Sequence, residues 1–298
     1  SKATSFNGDI GSWDVSNVTN MAGTFFEAAS YNQALGNWNV ESVTNMVSMF
    51  SGALVFNQPL DSWNVANVID MSSMFANAKL FNQDLNSWKV DKVTTMRNMF
   101  KGARAFNGLI SDWQVNKVES MSAMFQFAEV FNQDISNWNV SSVENMTLMF
   151  GDASVFNQPL HDWNVSQVTD MGNMFLRAIN FNQDIGNWNV SRVTMMDGMF
   201  ESAQKFNQDI GNWNVSEVAN MEDMFRGASV FNQDISTWEV NKVTTMTFMF
   251  ASAQKFNQDI SNWNVSEVTD MGWMFTHAVE FNQNLGNWDI GNVTDMEV

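Results

Sequence analysis

The chain has 298 residues, 45% of them hydrophobic, and no apolar run approaches the roughly 20 residues that span a bilayer. Its 32 acidic and 14 basic residues give a formal net charge of −18, which disfavours nucleic acid and anionic lipid and favours cations and basic partners. The absence of cysteine excludes disulfides, thiolate nucleophiles and thiolate zinc sites.

A 25-residue motif recurs from Phe6 onward, with the pattern F-N-Q-D-I-x-x-W-x-V-x-x-V-x-x-M-x-x-M-F-x-x-A-x-x. Twelve of the 13 Trp, 22 of the 23 Met and 22 of the 25 Phe fall in five fixed columns of this motif. A fixed period is the signature of a repeat architecture. We therefore predict one repeat array over residues 1–298, with complete units over 6–280 and a partial unit over 281–298.

Each unit is predicted to be a short strand followed by a helix. The W-x-V centre alternates as a strand does, and Val18, Met21, Phe25 and Ala28 have the spacing of one helix face. Ser16 and its equivalents stand where a helix N-cap is needed. The predicted fold is an α/β solenoid, a leucine-rich-repeat-like stack of about 12 strand–helix units with a parallel strand ladder.

Asparagine occupies the second position of all twelve units, from Asn7 to Asn282. We predict that these side-chain amides form a ladder that satisfies buried backbone groups of the turns. Terminal repeats normally carry polar caps, and neither end of this chain has one. We therefore expect the chain to be a segment of a longer protein, or its ends to be covered by partners.

The motif F-N-Q-D-I-x-x-W-N-V-S-x-V-T-x-M-x-x-M-F, seen in 131–150, 181–200 and 256–275, resembles the repeat of the DUF285, or BspA-like, surface-protein family. The resemblance covers essentially the whole chain. It implies a branch of the leucine-rich repeats, a secreted or surface-anchored location, and adhesion to host or matrix molecules. It transfers no catalytic residue.

No arrangement of residues in the sequence is typical of a catalytic site. The two histidines, His161 and His277, lie four units apart in different columns, and no nucleophile, metal or phosphate-binding motif accompanies them. We expect no enzymatic activity and no required cofactor.

A column of aspartates at the turn is the strongest chemical signal. Four consecutive units carry it at Asp184, Asp209, Asp234 and Asp259. Carboxylates stacked about 5 Å apart repel one another unless a cation or hydrogen-bond donors intervene, and calcium prefers such oxygen ligands. This predicts a possible calcium site, and the alternative is that each aspartate caps its own turn.

The residue between Trp and Val forms a polar column on the predicted strand, hereafter the amide column. A polar, amide-rich surface can hydrogen-bond a glycan or an extended peptide. The alternative is that stacked amides bond one another. The asparagines predicted to contact a partner are Asn139, Asn164, Asn189, Asn214 and Asn264.

Phe248 and Trp273 break the repeat pattern, because they occupy one column in adjacent units where small or polar residues usually stand. Their helical position predicts that they face outward, and outward aromatic pairs often anchor interfaces. The alternative is that they pack against a further part of the protein.

These features predict an extracellular or cell-surface repeat protein that mediates adhesion or recognition of a protein or glycan ligand. The alternative is a structural subunit of an extracellular filament, coat or wall layer that assembles with other copies. The outward aromatic pair favours assembly, and the family resemblance favours adhesion.

Overall fold

A computed structural model of the chain describes residues 3–297. Within that range it contains no helix and no extended strand. The regular pairing consists of isolated parallel bridges that link each unit to the next, from Asn20↔Asn45 to Asp270↔Asp295. The predicted α/β class, with a strand and a helix in every unit and a parallel strand ladder, is therefore wrong.

Each 25-residue unit forms one layer of a stack, and we number the layers 1 to 12 from Phe6. The Trp, Val, Met, Phe and Ala columns are buried in nearly all layers and form one hydrophobic core that runs from Ile10 to Met274. The predicted register of the repeat is confirmed, because the columns identified in the sequence are the columns of the core.

The segment predicted as a helix is a chain of tight turns that bonds to the next layer. In layer 2 the N–H groups of Ser48 and Phe50 donate to carbonyl oxygens of layer 3, at 2.9 and 2.8 Å. The alternate residues Met49 and Ser51 donate three residues back, at 3.2 and 3.1 Å. A helix would satisfy these donors within one layer, whereas here half of them hold neighbouring layers together.

Two residues in each of layers 1–11 have left-handed backbone conformation, as the third residue of a type II turn requires. Five of these 22 positions are glycine and 17 are other residues, including Leu148 (φ 58°) and Phe127 (φ 59°). Such conformations cost about 1 kcal/mol each outside glycine. The interlayer hydrogen bonds and the core contacts of the same turns offset that cost.

The predicted N-cap column has a different role from the expected one. The N–H of Ser16 donates to Asp14 Oδ1 at 3.0 Å, and the N–H of Ser141 donates to Asn139 Oδ1 at 3.1 Å. The side chain two residues earlier therefore caps a turn at this corner. The serine column supplies the N–H donor rather than the capping oxygen.

Aromatic rings stack from layer to layer inside the core. Trp113 and Trp138 have ring centroids 6.0 Å apart, and Phe125 lies 3.9 Å from Phe131. From layer 2 onward, each Trp of the repeat column also donates its indole N–H to a backbone carbonyl of the preceding layer, as Trp138 Nε1 does to Ile110 O at 3.1 Å. The tryptophan column thus fills the core and satisfies a buried carbonyl with the same side chain.

The predicted asparagine ladder is confirmed. The backbone N–H of Asn182 donates to Asn157 Oδ1 at 2.9 Å, and the N–H of Asn207 donates to Asn182 Oδ1 at the same distance. The bond recurs at every junction from Asn7 to Asn282. Glutamine at the next position adds a second link in most layers, such as Gln208 Nε2 to Asn182 Oδ1 at 2.9 Å.

The two end layers are more open than the interior ones. Trp13 is 61% exposed in layer 1, whereas Trp138 is 3% exposed. An open apolar cavity of about 740 Å³ lies at the other end, where Met274, Leu285 and Trp288 contribute to its lining. Residues 3–297 include no helix long and apolar enough to cross a bilayer.

Candidate interaction surfaces

The amide column lies on the surface, as predicted. The five asparagines are exposed, and each Oδ1 accepts the N–H of the serine two residues later at 3.1–3.2 Å. Among the described residues these amides form no hydrogen bonds with one another. The alternative prediction, in which stacked amides bond from layer to layer, is therefore not observed. Their Nδ2 groups make no hydrogen bond within residues 3–297 and remain available as donors.

The acidic column lies at exposed turns, two residues after the asparagine ladder. Asp184, Asp209, Asp234 and Asp259 each accept the backbone N–H two residues later at 2.9 Å. Hydrogen bonds from the side chain and backbone of Ser236 lower the pKa of Asp234, and those from Ser261 lower the pKa of Asp259. The predicted capping role is therefore present in all four layers, and at Asp234 and Asp259 it favours the ionised carboxylate.

Calcium at the acidic column stays a prediction. Within the described residues no group of three or more His, Asp or Glu has a geometry that could hold a metal ion. Because each Oδ1 already accepts a turn hydrogen bond, a calcium ion would depend on the second oxygens of successive layers. Millimolar calcium is then expected to raise the melting temperature relative to chelator. Equal melting temperatures in calcium and in chelator would contradict calcium binding at the acidic column.

Phe248 and Trp273 stack on the outside of the turns, with ring centroids 6.2 Å apart. Arg226 lies over the Phe248 ring at 4.9 Å, and Trp273 Nε1 donates to Glu297 Oε2 at 3.1 Å. Trp273 is 36% exposed. The predicted outward direction is confirmed, although it arises from left-handed turn residues rather than from a helix.

The outward side chains of residues 20–27 and their equivalents form a continuous surface, which we call the turn face. From layer 6 onward this face carries nine carboxylates and two guanidinium groups. Its central part is an acidic ridge. The ridge residues are Asp170, Asp197, Glu201, Glu222, Asp223 and Asp270.

Three carboxyl groups of the acidic ridge have pKa values above their ordinary range. Burial raises the pKa of Asp197, and repulsion from Asp170 and Asp223 adds to the shift. Burial also raises the pKa values of Glu201 and Glu222, again with a contribution from Asp223. A raised folded-state pKa means that the ionised carboxylate destabilises the fold, so stability falls as the pH rises through that range.

Replacing Asp197 with Asn is expected to raise the melting temperature at neutral pH. The amide has the same shape but no charge, so it removes both the burial penalty and the repulsion from Asp170 and Asp223. The gain is expected to disappear in acid, below the ordinary carboxyl pKa, where Asp197 itself is protonated. Thermal melts of both proteins over a pH series test this. A gain that is the same at every pH would contradict the electrostatic cause.

Basic residues concentrate in one segment of the chain, which we call the basic belt. Residues 79–117 contain seven of the 14 Lys and Arg but only three of the 32 acidic residues, a net charge of +4. The segments before and after it carry −5 and −17. Arg97 and Lys101 place this positive charge on the turn face, and neither forms an ion pair with any residue in 3–297.

The sequence interpretation missed the ridge and the belt as surfaces. A helix would have distributed these columns around its circumference, whereas the turns bring them to one side. The uneven distribution of charge along the chain was the signal that could have found them.

The chain is similar to repeat proteins of known structure. A leucine-rich cell surface protein from Faecalibacterium prausnitzii is 12% identical, with 89% of this chain and 69% of that chain covered and a TM-score of 0.46. A leucine-rich repeat protein from Bacteroides ovatus is 9% identical, covers 91% and 88%, and has a TM-score of 0.37. The TLR13–ssRNA13 complex is 10% identical with a TM-score of 0.29, and this chain spans 41% of that longer one.

In sequence, no curated protein matches the chain. The family model described as "Mycoplasma protein of unknown function, DUF285" matches four overlapping segments, residues 1–108, 83–178, 158–247 and 207–298. These segments together cover the chain from end to end. The chain belongs to the DUF285 family.

Proposed function

We propose that the chain is an extracellular or cell-surface recognition module that binds a protein or glycan ligand through the amide column and has no catalytic role. The observation that carries the proposal is the row of exposed asparagines whose Nδ2 donors are unused in 3–297. The BspA-like resemblance of the repeat supports the surface location.

The amide column suits a polar ligand for a physical reason. Each Oδ1 is fixed by its turn bond, so the Nδ2 donor of the same amide has a defined direction. The layers repeat at about the spacing of parallel strands, near 5 Å. An extended peptide or a glycan chain can meet such donors in consecutive layers without an ordering cost on the protein side.

The test is a binding screen against glycans and extracellular matrix proteins, followed by Asn189→Asp with Asn214→Asp. Aspartate keeps the turn acceptor, as Asp14 and Asp289 show in the same column, but it removes the Nδ2 donors. We expect the double variant to bind at least about tenfold more weakly.

The matched control adds the same charge elsewhere. Gln204→Glu with Gln254→Glu changes two exposed amides in a different column. We expect this variant to bind like the wild type. Absence of any ligand in the screen, or an equal loss in both double variants, would overturn the proposed role of the amide column.

A structural subunit of a filament, coat or wall layer is the second candidate, because the stacked Phe248 and Trp273 rings offer an outward apolar contact. This function requires assemblies whose size keeps increasing as the protein concentration increases. Sedimentation over a concentration series, in calcium and in chelator, distinguishes it from a finite species. Trp273→Ala should abolish the growth if this contact holds the assembly.

A further inference from the structure

The charges of the turn face are complementary between its two halves. Arg97 and Lys101 lie in layer 4, and Asp197 and Glu201 lie in the same two columns of layer 8, exactly 100 residues later in the sequence. Asp197 accepts a hydrogen bond from Asn173 at 2.8 Å but has no cationic partner within residues 3–297. Positive and negative charge therefore stand on one face, four layers apart.

The surface between these two charged regions carries apolar side chains at its centre, beside the Asp152–Arg177 ion pair. Leu148 lies in layer 6, Phe127 in layer 5 is 37% exposed, and Leu176 in layer 7 is partly exposed. An apolar centre flanked by charged residues is the usual anatomy of a protein interface.

A two-fold axis through layer 6 would bring the complementary parts together. If the axis lies in the plane of the interface and is perpendicular to the direction of the stack, the two copies run antiparallel. Each column then faces the same column of the second copy, and layer 4 faces layer 8. Arg97 then faces Asp197 of the second copy, and Lys101 faces Glu201. By symmetry each contact occurs twice, as in any isologous dimer.

The remaining columns also agree with this register. Leu148 faces its own copy at the axis, and layer 11 with Trp273 faces layer 1, where Phe26 is 44% exposed. Asp152 faces Asp152 of the second copy across the axis. Its charge is balanced within its own chain, because Arg177 lies 3.5 Å away. A parallel arrangement would instead place belt against belt and ridge against ridge, which repel.

We propose that the turn face is an interface between two antiparallel copies of this chain, centred on Leu148, with Lys101 of each copy paired to Glu201 of the other. Burial and repulsion from Asp170 and Asp223 raise the pKa of Asp197, and this carboxyl group has no cationic partner among residues 3–297, which supports a cation from a second molecule at this place. The proposal is independent of the ligand of the amide column, which lies outside the turn face.

The experiment is sedimentation equilibrium of the full chain at low ionic strength and at about 1 M salt, where screening acts within about 3 Å. We expect a monomer–dimer equilibrium that stops at two copies and weakens in high salt. Lys101→Glu and Glu201→Lys, each measured alone, should raise the dimer dissociation constant at least about tenfold.

Mixing the two variants is the decisive measurement. In the antiparallel dimer the Glu at position 101 of one copy meets the Lys at position 201 of the other, and the second site keeps its native Lys101 and Glu201. The mixture should therefore dimerise although neither variant does, which also shows that both are folded. Lys89→Glu, a belt residue in the amide column, is the charge-matched control and should dimerise like the wild type.

Three results would overturn the proposal. The wild-type chain could remain monomeric at low salt, the mixture could fail to recover the dimer, or Lys89→Glu could be as damaging as Lys101→Glu. If the chain stays monomeric and binds a sulfated polysaccharide through Lys101, the proposal is also overturned, and the basic belt is a polyanion-binding surface instead.

Discussion

Replacing Trp138 with Ala is expected to lower the free energy of unfolding by about 4 kcal/mol, the usual cost of deleting a large core side chain. The indole is 3% exposed, and its ring centroid lies 6.0 Å from Trp113 and 6.3 Å from Phe125. The substitution leaves a cavity between layers and also leaves the carbonyl of Ile110 without its indole donor. Urea denaturation followed by circular dichroism measures the change.

Trp13 provides a control in the same column of the same repeat. It is 61% exposed, and its indole N–H has no hydrogen bond to the described residues. Trp13→Ala is therefore expected to cost less than about 1 kcal/mol. Equal losses at the two positions would contradict the view that stacking between layers, rather than the local turn, gives the column its stabilising effect.

The repeat period was enough to predict the core of the protein. Once Phe6 fixes the register, the Trp, Met and Phe columns follow, and the structure buries them as one cluster. The asparagine ladder also followed from the sequence, because a polar residue at an invariant place in a turn needs a structural role. These predictions succeeded because they depend on which residues share a column and not on the backbone between them.

The helix was predicted wrongly because two backbone conformations share its apolar spacing. Residues three and four apart face one side of a helix, but in this series of overlapping four-residue turns Met46, Met49 and Phe50 also face the core. Single-unit reasoning counts hydrogen bonds within the unit, whereas Ser48 and Phe50 bond to the next layer. The preference for turns over a helix therefore depends on hydrogen bonds to the adjacent layer, which the sequence pattern of a single unit does not reveal.

The same distinction separates the surfaces that were predicted from the one that was not. The exposed amide column and the outward aromatic pair were predicted, since Asn189 and Trp273 are conspicuous within their columns. The turn face was not predicted, because its definition requires the backbone path of the turns. The pairing of Arg97 with Asp197 depends further on the relation between two molecules, which no single-chain pattern specifies.

Replacing Asn182 with Leu is expected to lower the free energy of unfolding by about 2–3 kcal/mol, since a partly buried polar group that loses its partner costs its full desolvation. Asn182 Oδ1 accepts both the backbone N–H of Asn207 and the Nε2 of Gln208, each at 2.9 Å. Leucine has a similar size but no acceptor, so both donors lose a partner. Urea denaturation measures the difference.

Three matched variants separate the ladder bond from a general effect of the substitution. Asn157 Oδ1 accepts only the N–H of Asn182, so Asn157→Leu is expected to cost less, about 1–2 kcal/mol. Asn182→Asp keeps both acceptor contacts and should retain most of the stability. Asn282 Oδ1 accepts no bond from the described residues, and Asn282→Leu should change stability by no more than about 0.5 kcal/mol. The order of these losses follows the number of interlayer bonds removed, and a loss at Asn282 as large as that at Asn182 would show that the ladder does not carry the effect.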